Sequence, residues 1–180
     1  MMNGNTLTIN EALRFANHDF LNQLQLIKIN LDLGRTDSAK TAVEEITEQC
    51  KTFFNINRLG LPKTIEWIHT LGWRYQNFHV DIQSMIEHEV NPILDDAICN
   101  YLEKSVLHVY SSLDPFVDQQ LSLQIYSTAR KFEILFHAKG RWEQKDVFQQ
   151  SIQQPLLVVE DDQFSEQEWQ YVILNNKEGL

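Results

Sequence analysis

The sequence predicts an α+β protein in which an N-terminal antiparallel helical hairpin precedes a small α/β domain. Three observations carry that reading. A capping signal at Thr8 opens a long helical pattern, a short polar turn separates it from a second one, and the apolar period becomes strand-like from Phe78. The chain has 180 residues, 43% of them hydrophobic, which is enough for one core and a helical appendage.

Thr8-Ile9-Asn10-Glu11 is a capping box, with Thr8 as N-cap and Glu11 reaching back to it. Leu13, Phe20, Leu24, Ile27 and Leu31 then fall on one stripe, and Gly34 follows Leu33, where a left-handed C-cap is cheapest. A first helix is expected over 9–33. The polar turn at 35–38 leads into a second helix, starting after Thr36 or Asp37, with the stripe Ala39, Val43, Ile46, Cys50 and Phe53. It should end near Arg58, before Gly60 and Pro62. Two long helices joined so tightly must lie antiparallel.

The first helix also carries a second apolar edge, Phe15, Leu26 and Leu33, which one hairpin cannot cover. Pairing two hairpins into a four-helix bundle buries it, so a homodimer is expected. The alternative is that the C-terminal part of the same chain covers that edge. The division is placed at residue 60, with a dimerising hairpin over 1–60 and an α/β domain over 61–180.

Pro62 suits the first position of a third helix over 63–75. Phe78, Val80 and Ile82 alternate with polar residues as a strand does, and 93–112 returns to a helical period. Further strands are expected at 121–126, 132–137, 156–159 and 171–174, with a helix around 143–150, giving an antiparallel or mixed sheet.

A net charge of −10 argues against nucleic-acid binding by phosphate neutralisation and against anionic membranes. No apolar run approaches the roughly 18 residues of a membrane span, and the first ten residues lack a basic, apolar leader, so a cytoplasmic chain is expected. Two separated cysteines and six scattered histidines give no metal-ligand spacing.

Chemistry points to His18. On the helical wheel it lies roughly 150° from the apolar stripe, among Glu11, Arg14, Asn22, Gln25 and Asp32. It is therefore an exposed imidazole on a long helix, not a core histidine. A neutral imidazole nitrogen is a good nucleophile toward phosphorus.

The string Asn17-His18-Asp19-Phe20-Leu21-Asn22-Gln23-Leu24-Gln25-Leu26-Ile27, continued by Lys28, Asn30 and Leu31, resembles the phospho-acceptor helix of the sporulation initiation phosphotransferase B family. It also resembles that of related dicarboxylate-type sensor kinases. Relatives commonly carry a basic residue directly before the histidine, whereas this chain has Asn17. The resemblance implies a phosphorelay histidine phosphotransferase. His18 would accept a phosphoryl group from one response regulator's aspartate and donate it to another's, without ATP. Mg²⁺ would sit on the partner regulator, and this chain would bind no cofactor.

On that reading Asp19 either orients the imidazole or is a solvated acid. Asn22, one turn on, either positions the phosphoryl group or docks the partner. Arg14 either holds a phosphoryl oxygen or pairs with Glu11. Gln25 and Glu11, on the same face, are expected partner contacts.

A kinase ATP domain needs glycine-rich phosphate loops and an asparagine-rich helix. The six glycines are dispersed, and the helix from Ile93 offers only Asn100 as an amide. The C-terminal domain therefore resembles a degenerate histidine-kinase ATP-binding domain. Two other readings stand beside this one: a non-catalytic dimeric module that docks on a kinase or regulator, and a kinase with an unusual nucleotide site.

Overall fold

Local sequence sets the first element. In the computed structural model, which describes residues 7–143 and 157–175, helix α1 runs Ile9–Asp32 from a complete capping box. The Glu11 N–H donates to Thr8 Oγ1 at 3.2 Å, and the Thr8 N–H donates to Glu11 Oε2 at 2.8 Å. At the other end Gly34 takes φ +72°. Its N–H donates to the Leu31 carbonyl and that of Arg35 to the Asn30 carbonyl, the paired bonds of a Schellman turn. Helix α2, Thr36–Ile56, starts within two residues of that turn and finishes in a 3₁₀ turn at Asn57–Leu59.

The chain divides into two compact units, Met1–Phe54 and Asn55–Leu180. In the first, the three-residue turn between Asp32 and Thr36 folds α2 back on α1, and the Gln23 amide donates to Gln49 Oε1 at 3.4 Å between them. Ala39 and Ala42 are buried on α2, while α1 buries nothing. Of the stripe expected to face the hairpin's interior, only Ile27 is half-covered; Leu13, Phe20, Leu24 and Leu31 remain 46–58% exposed. Phe15, assigned by sequence to the surplus edge, is half-buried instead. The apolar surface left open on the hairpin is thus larger than the pattern predicts, because the small Ala39 and Ala42 supply the buried contact of α2.

The second unit holds α3 (Pro62–Arg74), β1 (Phe78–Ile86), α4 (Asp95–Tyr110), β2 (Gln119–Ser127), β3 (Phe132–Lys139), β4 (Leu157–Phe164) and β5 (Glu168–Asn175). The sheet order is β1-β2-β3-β5-β4. β1 and β2 are parallel, as a crossover through α4 requires, and the remaining pairs are antiparallel. The sheet is therefore mixed. β4 extends past the expected four residues through a bulge between Glu160 and Gln163, where Asp161 adopts φ +53°. The helix expected around 143–150 lies outside the described residues beyond Glu143.

Alternation fixes the buried face: Leu121, Leu123 and Ile125 on β2, Ile134, Phe136 and Ala138 on β3, Trp169, Tyr171 and Ile173 on β5. α4 covers it with Ile98, Leu102 and Val106, all fully buried.

Two polar devices join the helices of this unit. Asp95, at the start of α4, caps α3 across the fold. Its carboxylate accepts the Lys63 N–H at 2.9 Å, the Thr64 N–H at 2.8 Å and the Thr64 hydroxyl at 2.8 Å. Glu103 accepts the Trp67 Nε1–H at 2.5 Å and Arg74 Nη2 at 2.7 Å. Burial first, and then Glu103, pushes the Tyr75 hydroxyl well above its ordinary pKa.

Gly140 shows where the backbone admits no side chain. A Cβ there would lie 1.7 Å from Gln119 Oε1. Gln119 uses that oxygen to accept the Arg141 N–H, and its amide donates to the Asp114 carbonyl.

Candidate functional site

Helix α1 has its capped ends more than a turn away from His18, so the backbone that carries the imidazole is regular on both sides. The His18 side chain is 69% exposed. This is the value that matters most for chemistry, because an attacking ring must be reachable by a second protein.

Nδ1 of His18 has two neighbours. Asn22 Nδ2, one turn on, stands 3.2 Å away, and Asp19 Oδ1 stands 3.5 Å away. Adjacency on the helix places Asp19 toward a different side, yet its short side chain curls back to the ring. The two contacts favour opposite tautomers. An Asn22 amide donating to the Nδ1 lone pair leaves the proton on Nε2. An Nδ1–H donated to Asp19 leaves the Nε2 lone pair pointing outward as the nucleophile. Rotation of the Asn22 amide, so that its oxygen also accepts from Nδ1–H, reconciles both neighbours with that second tautomer.

The other sequence-selected residues are not gathered around the ring. Arg14 lies over the Phe15 ring, 5.5 Å from its centroid. Glu11 is engaged with Thr8, whose backbone N–H and then hydroxyl hold its carboxyl below the usual range. Gln25 is exposed, and Lys28 pairs with Asp32 at 2.6 Å. The structure thus brings together His18, Asp19 and Asn22 and leaves Arg14, Glu11 and Gln25 elsewhere on the helix. Phe20 and Leu21, both more than half exposed, add apolar surface near the ring. Apolar spacing does not tell a core stripe from a docking stripe, so the sequence places Phe20 on the core stripe and gives Leu21 no role.

In the second unit, each described glycine has a structural setting. Gly60 ends the 3₁₀ turn at φ +77°, Gly72 lies inside α3, and Gly140 abuts Gln119. Between α4 and strands β3 and β5 the space is filled by rings. Tyr101 meets Tyr171 edge-on at 5.2 Å, Tyr171 stacks on Phe136 at 4.6 Å, and Trp169 contacts His108 at 5.7 Å and Phe164 at 5.2 Å. Burial drives the Tyr171 hydroxyl far above its ordinary range.

Residues 1–59 match the family model described as sensor kinase SpoOB-type, alpha-helical domain. The match covers the helical hairpin, about a third of the chain, and agrees with the resemblance carried by the His18 string. A comparison with curated protein sequences finds no match. Among solved structures, the Acinetobacter baumannii histidine kinase AdeS aligns with a TM-score of 0.43 and 5% identity, over 88% of this chain and 97% of that one. Among the described residues, no helix is long and apolar enough to cross a membrane.

Proposed function

We propose that this chain is a histidine phosphotransferase of a phosphorelay, with His18 as its phospho-acceptor. The observation that carries the reading is the exposed imidazole with its Nδ1 side turned to Asp19 and Asn22. In that setting Asp19 holds the Nδ1 proton and the Nε2 lone pair attacks the phosphorus of a partner's aspartyl phosphate. The N–P bond forms as the P–O bond to the aspartate breaks, and the carboxylate leaves on the partner. The reverse exchange, with a second regulator's carboxylate as attacking oxygen, breaks the N–P bond and returns the electron pair to Nε2. Asp19 stabilises the positive charge that the ring gains while phosphorylated. Asn22 orients the ring or meets a phosphoryl oxygen. Mg²⁺ belongs to the partner regulator, where it would neutralise phosphoryl charge.

Two features support the remaining parts of the reading. The open stripe of Leu13, Phe20, Leu24 and Leu31 suits a second hairpin and hence a homodimeric four-helix bundle. The dispersed glycines of the second unit form no glycine-rich phosphate loop, which supports transfer without ATP.

The test is incubation of the purified chain with a phosphorylated single-domain response regulator. The chain should acquire phosphate that is acid-labile and alkali-stable, and His18→Ala should acquire none while still binding the regulator. Retained binding with no label on the unmodified chain would leave a docking module in place of a phosphotransferase. A Mg-ATP thermal shift should be absent.

A further inference from the structure

Asn22 stands one turn beyond His18 on α1, and the geometry there separates two roles, ring orientation and contact with the phosphoryl group. Its amide lies 3.2 Å from His18 Nδ1, the only hydrogen bond that this side chain makes among the described residues. Other short polar side chains of the hairpin behave differently. The Asn30 amide donates to the Leu26 carbonyl, and the Thr41 and Thr47 hydroxyls donate to the carbonyls of Asp37 and Val43, each four residues back. Asn22 has a carbonyl four residues back as well, that of His18, and meets the ring of that residue instead.

The second neighbour of Nδ1 fixes what passes between them. Asp19 Oδ1 lies 3.5 Å from the same nitrogen. A carboxylate accepts hydrogen bonds, so an Nδ1 lone pair would face it with repulsion, whereas an Nδ1 proton satisfies it. A planar amide can offer either end to a ring nitrogen, and the surrounding network determines which. With the proton on Nδ1, Asn22 must present its oxygen. One proton then lies between two acceptors, and the amide is the nearer. Without such acceptors a neutral histidine in water favours the proton on Nε2, the form whose outward nitrogen has no lone pair free to attack.

The same position limits what Asn22 can reach. The two ring nitrogens are distinct, and a phosphoryl group on Nε2 projects along that nitrogen's lone pair, away from Nδ1. An amide in contact with Nδ1 is behind the ring with respect to the group in transit. Water attacking phosphorus opposite the N–P bond would be further away still.

We infer that Asn22 is a positioning residue that acts through Nδ1. Its amide oxygen and the Asp19 carboxylate share the Nδ1 proton, which keeps the Nε2 lone pair free, and Asn22 touches neither the phosphoryl group nor an attacking water. The tautomer needs only His18 and its two neighbours; the kinetic consequence rests on the reading of His18 as phospho-acceptor.

The experiment is two-bond ¹H–¹⁵N correlation NMR of the ¹⁵N-histidine-labelled chain near pH 9, where a histidine is neutral, with His18→Ala to assign the signals. The Nδ1–H form should predominate in the unmodified chain, and Asn22→Ala should make the Nε2–H form the major one. Asn22→Asp, which can only accept, should keep Nδ1–H. In parallel, transfer from a phosphorylated single-domain regulator should slow on the order of tenfold in Asn22→Ala, as when a group that orients a reacting imidazole is lost. Asn22→Asp should recover part of that rate. The lifetime of the phosphohistidine on the isolated chain should be unchanged in Asn22→Ala. A predominant Nε2–H form in the unmodified chain, an unchanged tautomer in Asn22→Ala, or a switched one in Asn22→Asp would overturn the inference. So would unslowed transfer or an altered phosphohistidine lifetime in Asn22→Ala. A chain that takes no phosphate, yet loses its Nδ1–H form in Asn22→Ala, would overturn the acceptor reading of His18 and leave the tautomer assignment standing.

Discussion

In the sheet unit α4 buries Ile98, Leu102 and Val106 completely, whereas the longer α1 buries none of its side chains. Both helices are amphipathic, so sequence pattern alone does not separate them. The difference lies in what each apolar side meets. α4 lies on a five-stranded sheet whose inward face is continuous from Leu121 to Ile173. Among the described residues of the hairpin, α1 buries no side chain and α2 buries only alanines. The sheet unit therefore closes its apolar face within one chain, and the hairpin leaves its own open.

Substitutions should expose that contrast. Trp169→Ala removes a fully buried ring from the centre of the aromatic cluster, and about 3–5 kcal/mol of unfolding free energy should go with it. Urea denaturation followed by far-UV circular dichroism measures this, and a loss below 1 kcal/mol would contradict the closed core. Glu103→Ala strands Arg74 in a site where that side chain is only 13% exposed. The expected cost is about 3 kcal/mol, and Glu103→Gln should recover part of it through the Trp67 bond.

In the hairpin, Leu24→Ser should leave the sheet unit's unfolding untouched. It should weaken self-association roughly thirtyfold, since each copy forfeits about 1 kcal/mol of apolar burial. Sedimentation equilibrium reads the shift, and unchanged association would mean that this stripe is not the interface.

The smallest effect concerns the two thiols. Cys99 is half-buried, and burial first, then the charges of Asp95 and Glu103, push its pKa up to about 11. A raised pKa keeps the thiol protonated, so at pH 8.5 Cys99 should carry on the order of a hundredfold less thiolate than an unperturbed cysteine. Iodoacetamide should therefore label exposed Cys50 first, and labelling of Cys99 should climb only as the pH nears 11. Equal rates at pH 8.5 would place Cys99 outside that acidic, half-closed setting.

What could be read from the sequence follows the same division between local and distant causes. The capping box of Thr8 and Glu11 and the turn at Gly34 involve neighbours three to five residues apart, and both stand as the pattern predicts. Strand faces were legible because alternation is local. The placement of β5 between β3 and β4 depends on partners far along the chain, and no local signal marks it. The same holds for Asp95, which caps a helix 31 residues upstream. At the candidate site, the exposure of His18 and its proximity to Asn22 follow from helical spacing. The return of Asp19 to Nδ1 does not, because side-chain torsion rather than backbone position decides it.

The bulge in β4 bears on how these molecules behave when crowded. An open strand at the border of a sheet invites another chain to add to it, and a kinked, charged border refuses. With Asp161 turned left-handed between Glu160 and Asp162, backbone groups on that side are out of register for a straight newcomer, and the exposed carboxylates of Glu160 and Asp161 repel another acidic chain. Stacking into fibres along β4 is blocked at its midpoint.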